Sequence, residues 1–353
     1  MPKLSEFELR TLPGIQHHYA HTERQLAFRA QSQSEAEQWQ VALRETLRSL
    51  LGLNDSERCP LDVHLIKESA EDGYRRELIV MQTAPGEYMP CYVLIPQNVL
   101  PPFRPVIALH GHGSWGVKSL MGVADSPLEQ EFIDQYHQDF ALQLVQQGYL
   151  VFAPMLRGFA QRMESGEAPL ETDDTWLTSC LELSLNALML GKTLLGLRIW
   201  DVMRLVDYIQ TRPEPMHKEI ACVGFSGGAT VTLMTTALEP RINAAVISGY
   251  FNTFRNSLMS VSHCACNYIP NLLNYAEMAD LAGLIAPRPL FIESGLHDPL
   301  YSIEGTRRAV ADLERIYSVM EASPKLHTQI FDGAHRWDGQ GVYDWLAHQF
   351  GVE

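Results

Sequence analysis

The residues best suited to chemistry lie in the segment Gly224-Phe225-Ser226-Gly227-Gly228. This segment follows the apolar run IACV and precedes ATVTLMTTAL, so we expect a tight turn between a strand and a helix. Such a turn needs glycine two positions before and after the serine, where a side chain would collide with neighbouring backbone. The turn would lift the serine hydroxyl above the edge of the sheet. The pattern therefore predicts that Ser226 is a nucleophile.

A serine hydroxyl reacts only when a base removes its proton, and an acid must fix the tautomer of that base. Downstream, Asp298 follows the strand-like run PLFI, and His335 follows HTQIF. The chain order Ser, Asp, His is one that catalytic triads use, so we predict Asp298 as the acid and His335 as the base. Glu293 remains open as an alternative acid and His297 as an alternative base, because both lie near the same strand end. Asp298 also fits a turn former, since a proline follows it.

Attack by a serine creates an oxyanion, which must be held by N–H donors. Gly227, at the predicted start of a helix, is expected to give one of them. The other is expected from His110-Gly111-His112-Gly113-Ser114-Trp115, the segment after the strand-like run VIAL. His112 is the first choice for this second donor, and Gly113 is the alternative.

Two histidine-containing patterns allow a metal-binding interpretation. His110 and His112 would share a face if they lay on a strand, but no obvious third ligand lies nearby. His263-Cys264-Ala265-Cys266 offers thiol and imidazole groups, but cysteines separated by one residue chelate poorly in tetrahedral geometry, and no second cysteine pair follows. We therefore expect no metal ligand and interpret the second cluster as packing around a pocket.

The rest of the sequence predicts the elements that position these residues. Three short alternating runs between Leu61 and Pro96 (LDVHLI, RRELIVM and CYVLIP) indicate antiparallel strands. Five dense apolar runs follow, PVIALHG, YLVFAPM, IACVGFS, AAVISGY and PLFIESG, and such runs are typical of buried parallel strands. Helical patterns lie between them at 134–147, about 176–210, 228–238 and 302–320. The alternation predicts an α/β fold with a doubly wound, mostly parallel sheet and antiparallel leading strands.

Residues 1–60 are interpreted as an N-terminal helical extension and residues 61–353 as the catalytic domain. Within the extension, Ser34-Glu35-Ala36-Glu37 is expected to cap a helix that docks on the domain. The loop-like segments 157–175 and 251–274 both follow predicted sheet strands. Because ligands of open α/β sheets bind beyond the carboxyl ends of the strands, these segments are expected to wall a pocket.

The aromatic and methionine side chains of the long helical region are interpreted as core. They are Trp176, Trp200 and Met203.

The composition limits the possible partners. The 353 residues include 27 basic and 42 acidic side chains, a net charge of −15 that should repel nucleic acids and anionic lipid headgroups. The six cysteines are scattered, which favours reduced thiols in a cytoplasmic protein over a disulfide scaffold. No segment has the roughly 18 apolar residues of a spanning helix, and no glycine-rich phosphate cradle is present. We therefore expect no cofactor, nucleic acid or membrane partner, and the sequence leaves a homo-oligomer open.

These motifs resemble the α/β-hydrolase superfamily, and within it the branch of dienelactone hydrolases and acetyl xylan esterases. The resemblance runs from about Leu61 to the C-terminus. It rests on LHGHG at 109–113, APMLRG at 153–158, GKTLLGLRIWDVMR at 191–204 and APRPL at 286–290. It implies Ser226, Asp298 and His335 as the triad and needs no cofactor. Dienelactone hydrolases proper have cysteine at the nucleophile position, so serine favours the esterase side.

The expected function is hydrolysis of small acyl esters through an acyl-enzyme, with an acetyl group on a sugar as one candidate substrate. We expect Gly113, Trp115, Arg157 and His297 to contact the substrate. A serine peptidase of related fold is an alternative, although such peptidases usually carry a large extra domain. A non-catalytic binding protein is another, and it would be expected to lack a member of the triad.

Overall fold

The computed structural model describes residues 7–164 and 176–350. Within these ranges nine strands form one sheet. They are β1 (His64–Glu71), β2 (Tyr74–Ala84), β3 (Glu87–Pro96), β4 (Pro105–Leu109), β5 (Leu150–Pro154), β6 (Ile220–Phe225), β7 (Ile242–Ser248), β8 (Leu290–Gly295) and β9 (Leu326–Phe331).

The order of strands across the sheet is β1-β2-β3-β5-β4-β6-β7-β8-β9. The pairs β1/β2, β2/β3 and β3/β5 are antiparallel, and all pairs from β5 to β9 are parallel. Strands β4, β5, β6 and β8 are buried throughout, as expected when helices cover both faces. The predicted α/β fold with antiparallel leading strands and a mostly parallel sheet is confirmed.

Helices lie around the sheet. They are α1 (Thr11–His21), α2 (Gln33–Leu50), α3 (Pro127–Tyr136), α4 (Phe140–Gln146), α5 (Cys180–Met189), α6 (Leu194–Ile209), α7 (Gly227–Leu238), α8 (Met278–Gly283), α9 (Ile303–Val319) and α10 (Gln340–Phe350).

Two of the predicted helices are broken in the structure. The helix predicted at 134–147 is instead α3 and α4, because His137 adopts a left-handed conformation with φ of 51° and ends α3. The helix predicted at 176–210 is instead α5 and α6, which are bent by 97° relative to each other. Gly191, with φ of 68°, lies in the turn between them. An apolar pattern that continues across such a turn does not reveal the change of direction.

The N-terminal region packs on the sheet domain. The side chain of Ser32, two residues before the predicted cap, caps α2 by accepting a hydrogen bond from the Glu35 amide. The buried residues Leu43 and Leu47 of α2 belong to the same hydrophobic core as β4, α6 and α7. Burial of an apolar helix face stabilises it by roughly 1.5–3 kcal/mol per large side chain. This packing fixes α2 against the domain.

The carboxyl ends of the parallel strands lie at one edge of the sheet. Ser226 follows β6 directly, Asp298 follows β8 and His335 follows β9. The topology therefore brings together three residues that are far apart in the sequence.

Candidate active site

Ser226 occupies a strained turn between β6 and α7. Its φ of 53° and ψ of −119° are unusual for a residue with a side chain. A Cβ atom on Gly224 would lie 2.5 Å from the Gly228 backbone, and one on Gly228 would lie 2.0 Å from the Leu109 carbonyl oxygen. Glycine is therefore required at both positions, as the spacing predicted. Backbone strain of this kind is common at active sites and ligand-binding sites.

A continuous chain of hydrogen bonds links the three predicted triad residues. The Nε2 atom of His335 lies 2.9 Å from Ser226 Oγ, and its Nδ1 atom lies 2.7 Å from Asp298 Oδ2. The Asp298 side chain is 1% exposed and that of His335 is 11% exposed. A buried carboxylate at Nδ1 holds the proton there, which leaves Nε2 free to accept the serine proton.

Asp298 also forms the turn that its sequence context suggested. Its Oδ1 atom accepts hydrogen bonds from the amides of Leu300 and Tyr301, at 2.8 and 3.1 Å. One carboxylate oxygen thus orders the loop while the other faces His335. The turn-forming and the catalytic interpretations of this residue are compatible.

The alternative acid and base lie elsewhere. Glu293 is fully buried and accepts hydrogen bonds from Ser248 Oγ and from the amides of Asp338 and Gly339. Burial raises the pKa of Glu293, and these hydrogen bonds oppose the shift. Its contacts order the segment after β9. His297 is exposed and pairs with Asp332 at 3.1 Å.

The loop after β4 lies against the nucleophile. A Cβ atom on Gly111 would lie 3.3 Å from the Ser226 Cβ, and one on Gly227 would lie 2.5 Å from Nδ1 of His112. The two predicted oxyanion donors, Gly227 and His112, are therefore neighbours beside Ser226. Gly113 faces the Phe132 ring instead, since a Cβ atom on Gly113 would lie 2.7 Å from that ring.

His110 holds this loop in place. Its Nδ1 atom lies 2.9 Å from the Gly111 carbonyl oxygen, and its Nε2 atom accepts a hydrogen bond from the Leu156 amide at 3.1 Å. Burial lowers the pKa of His110 to about 4, so the ring is neutral near pH 7. Both ring nitrogens are occupied. This arrangement contradicts the alternative in which His110 and His112 together bind a metal.

A cavity of about 280 Å³ opens beside Ser226 and His335. Several of its walls are aromatic, and the Trp176 ring packs edge-on against the rings of Phe132 and Tyr136. The remaining lining residues are His112, Gln138, Thr178, Phe225, Ser262, His263, Cys264, Asn267, Leu300 and Tyr301. Residues 262–267 belong to the predicted wall 251–274. Of the other predicted wall, residues 157–164 do not line this cavity, and residues 165–175 lie outside the described residues.

Three aromatic residues of this cavity are not identified correctly by the sequence pattern. The interpretation of Trp176 as core is wrong, because it is 54% exposed and lines the cavity, whereas Trp200 and Met203 are buried as expected. Phe132 and Tyr136 lie on α3, far from any predicted motif. Their spacing of four residues puts them on one helix face, which is the only signal that the sequence offers for them.

The predicted substrate contacts lie outside the lining of this cavity. Trp115 packs against Phe132, with ring centroids 5.2 Å apart, and is one layer removed from Ser226. His297 is exposed, as described above. Gly113 contacts the Phe132 ring rather than the cavity.

Arg157 belongs to a buried ion-pair network. It donates two hydrogen bonds to Asp201 on α6, at 2.7 and 2.9 Å, and also pairs with Glu87. Arg162 donates to the same Asp201 at 2.8 Å. Burial alone would raise the pKa of Asp201, but the charges of Arg162 and Arg157 outweigh it and lower the pKa to about 2. Arg157 also borders a separate cavity of about 890 Å³ whose described lining contains no triad residue. Its role in this structure is to anchor the loop after β5.

Among the residues that the structure describes, no single helix is long and apolar enough to cross a membrane.

The sequence model of the Abhydrolase family matches residues 10–317. The match begins ahead of α1, so it includes most of the predicted N-terminal extension. "Putative hydrolase YtaP" of Bacillus subtilis (strain 168) is 26% identical to this chain over 283 residues, which are 78% of this chain and 87% of that protein.

Solved structures share the fold. A "putative acetyl xylan esterase" from Bacteroides fragilis NCTC 9343 has a TM-score of 0.75 and 20% identity, covering 94% of this chain and 84% of that chain. A glucuronoyl esterase from Solibacter usitatus has a TM-score of 0.64 and 12% identity, covering 88% and 92%. The predicted resemblance to the α/β-hydrolase superfamily is confirmed. Because the family model spans most of its length, this chain belongs to the Abhydrolase family.

Proposed function

We propose that the protein is a serine carboxylester hydrolase that acts through an acyl-enzyme. The observation that carries the proposal is the hydrogen-bond chain from Asp298 through His335 to Ser226, which ends at the floor of a cavity. A nucleophile, a base that contacts it and an acid that orients the base are the parts this chemistry requires.

In the first half-reaction, Ser226 Oγ attacks the ester carbonyl carbon while His335 Nε2 takes the hydroxyl proton. Asp298 stabilises the imidazolium that forms. The backbone N–H groups of Gly227 and His112 bind the oxyanion, and the N–H of Gly227 is suited to this because it opens α7. His335 then donates its proton to the departing alcohol, which leaves an acyl group on Ser226.

In the second half-reaction, a water molecule takes the place of the alcohol. His335 removes a proton from this water, and the hydroxide attacks the acyl carbonyl carbon. The same two N–H groups bind the second oxyanion. His335 returns the proton to Ser226 Oγ as the acid leaves.

The cavity favours a neutral ester of modest size. Its described lining contains aromatic, amide, hydroxyl and imidazole groups, but no lysine or arginine that would pair with an anionic substrate. Burial, with the neighbouring His335 and His112 rings, lowers the pKa of His263, so this ring is also neutral. Exposed aromatic faces such as Trp176 suit the apolar face of a sugar. The names of the similar structures include acetyl xylan and glucuronoyl esterases, which makes esters on carbohydrates the first candidates.

The test is a panel of p-nitrophenyl esters of increasing acyl length, acetylated xylo-oligosaccharides, a methyl uronate ester and aminoacyl anilides. We expect turnover of short acyl esters and no turnover of the anilides. Ser226→Ala should lower kcat by at least about 10⁴-fold. Ser260→Ala, on the exposed part of the 251–274 loop, serves as the matched control. Equal turnover by Ser226→Ala and wild type, or hydrolysis of the anilides alone, would contradict the proposal.

A further inference from the structure

Four metal-binding side chains converge beside the cavity from three separate segments. His112 follows β4, Cys180 is the first residue of α5, and Cys264 and Cys266 lie in the loop after β7. Their donor atoms all lie within 4.8 Å of one another. All three cysteines are free thiols. The sequence offered His112 and the Cys264/Cys266 pair only in two separate patterns and did not indicate Cys180, because the fold brings the four residues together.

The distances suit a tetrahedral metal. The Sγ atoms of Cys264 and Cys266 lie 3.3 Å apart, and His112 Nε2 lies 3.2 Å from Cys266 Sγ. Sulfur ligands on zinc, with Zn–S bonds of about 2.3 Å, lie roughly 3.8 Å apart. Changes of up to about one ångström in these separations would therefore place the four donors around one ion. The short separation of Cys264 and Cys266 also shows that their side chains face one point despite the single intervening residue.

A buried cation beside the cluster indicates that the cluster carries negative charge. Arg198 is 2% exposed, and its guanidinium donates to Cys180 Sγ at 3.0 Å. It also donates to the Arg157 carbonyl oxygen and lies over the Phe159 ring. Among the residues that the structure describes, no carboxylate forms an ion pair with Arg198. A buried charge without a counter-charge is costly, so the thiols are the groups that must balance it.

We propose that His112, Cys180, Cys264 and Cys266 bind one Zn²⁺ ion. Three thiolates and one neutral imidazole around a divalent cation carry a single negative charge, which the Arg198 guanidinium neutralises. One thiolate already balances Arg198, so binding displaces the two remaining thiol protons, which pass to solvent. With four protein ligands and no open position, the site is of the structural kind. Its hydrogen bond from Arg198 is the outer contact that such sites usually have.

The proposed zinc site lies where it would position the two oxyanion donors. His112 supplies the proposed second oxyanion donor, and its ring packs against Gly227, which supplies the first. Cys264 lines the cavity beside Ser226. The ion would tie these walls to α5 and fix the donor geometry before substrate arrives. This effect on turnover rests on the proposed function, whereas metal binding itself does not.

Metal content tests the site directly. Full-length protein, expressed with added zinc and purified under reducing conditions, should contain one zinc per chain by plasma mass spectrometry. Cys180→Ser and Cys264→Ser should lose the metal, with Cys59→Ser, a half-buried thiol outside the cluster, as the control that keeps it. Replacement of zinc by Co²⁺ should give the visible absorption of a tetrahedral thiolate site in wild type and in Cys59→Ser only.

Three results would overturn the zinc assignment. One is wild-type protein that holds no metal and shows no cobalt spectrum when reduced. Another is stoichiometric iron or copper in place of zinc. The third is a disulfide among Cys180, Cys264 and Cys266 in peptide maps of metal-free protein that was purified under reducing conditions. The cobalt titration of wild type does not depend on whether a variant folds. Because no substrate is used, failure of the zinc site and failure of the esterase proposal are distinguishable.

Discussion

The Asp298→Asn variant is expected to lose nearly all turnover while it keeps the fold. In the native protein Oδ1 of Asp298 accepts from the amides of Leu300 and Tyr301, and Oδ2 faces His335 Nδ1. Asparagine keeps its oxygen on the two amides and therefore turns its NH₂ group toward His335. That donor requires an unprotonated Nδ1, so the ring proton moves to Nε2. A protonated Nε2 cannot accept the proton of Ser226.

The expected loss in kcat is on the order of 10⁴-fold, as for other triads whose acid is replaced by its amide. That loss corresponds to about 5 kcal/mol of transition-state stabilisation. Initial rates on p-nitrophenyl acetate measure it, and thermal unfolding of the same samples checks that the turn at Leu300 is intact. A higher substrate concentration should not restore turnover, because the substitution affects proton transfer rather than substrate binding.

Glu293→Gln is the matched control, because Glu293 is the other acid near the end of β8. It contacts Ser248 and two backbone amides, so its replacement should lower the melting temperature and leave kcat within about tenfold. The reasoning would be refuted by the opposite pattern, in which Asp298→Asn keeps near-normal turnover and a well-folded Glu293→Gln loses it.

Three further predictions concern stability. Gly228→Ala places a Cβ atom 2.0 Å from the Leu109 carbonyl oxygen, and should lower the free energy of unfolding, measured in urea, by more than about 3 kcal/mol. The control Gly14→Ala, with no atom within 4 Å of the new Cβ, should not lower it in this way. Equal losses in the two variants would contradict the account of the turn. Asp201→Asn leaves two largely buried arginines without their shared carboxylate and should lower the free energy of unfolding by about 3–5 kcal/mol. A loss under about 1 kcal/mol would show that the network is not structural. The pKa of His110 is about 4 in the folded protein and about 6.5 when unfolded, so acidification protonates the unfolded chain first and the contribution of His110 to stability is lost between pH 6.5 and 4. When the pH is lowered from 7 to 4.5, the free energy of unfolding should fall by about 2 kcal/mol less in His110→Gln than in wild type. Parallel curves of unfolding free energy against pH for the two proteins would contradict this.

The parts of the site that could be predicted are those encoded locally. The glycines around Ser226 report the turn because only glycine fits there, and Asp298 and His335 follow apolar strands whose ends share one edge. The parallel strands could also be predicted locally, because a strand that is buried on both faces has a continuous apolar run. The edge strand β1 was less clear. It begins at His64 rather than Leu61 and is largely exposed, so its sequence carries little apolar signal.

What could not be predicted depends on contacts between distant segments. Arg157 resembles a substrate contact until its partner Asp201, which lies on α6, is known. Trp176 resembles a core residue because sequence does not show which side of the chain faces the cavity. The convergence of His112 and Cys180 on the Cys264 loop has the same cause, since each lies on a different element.

The identity of the nucleophilic residue tests the central claim most directly. Intact protein treated with a fluorophosphonate probe should gain one adduct, and peptide mapping should place it on Ser226. Labelling should disappear in Ser226→Ala and fall sharply in His335→Ala, because the serine then has no base. An adduct on another residue, or undiminished labelling of Ser226 in the folded His335→Ala variant, would contradict the account.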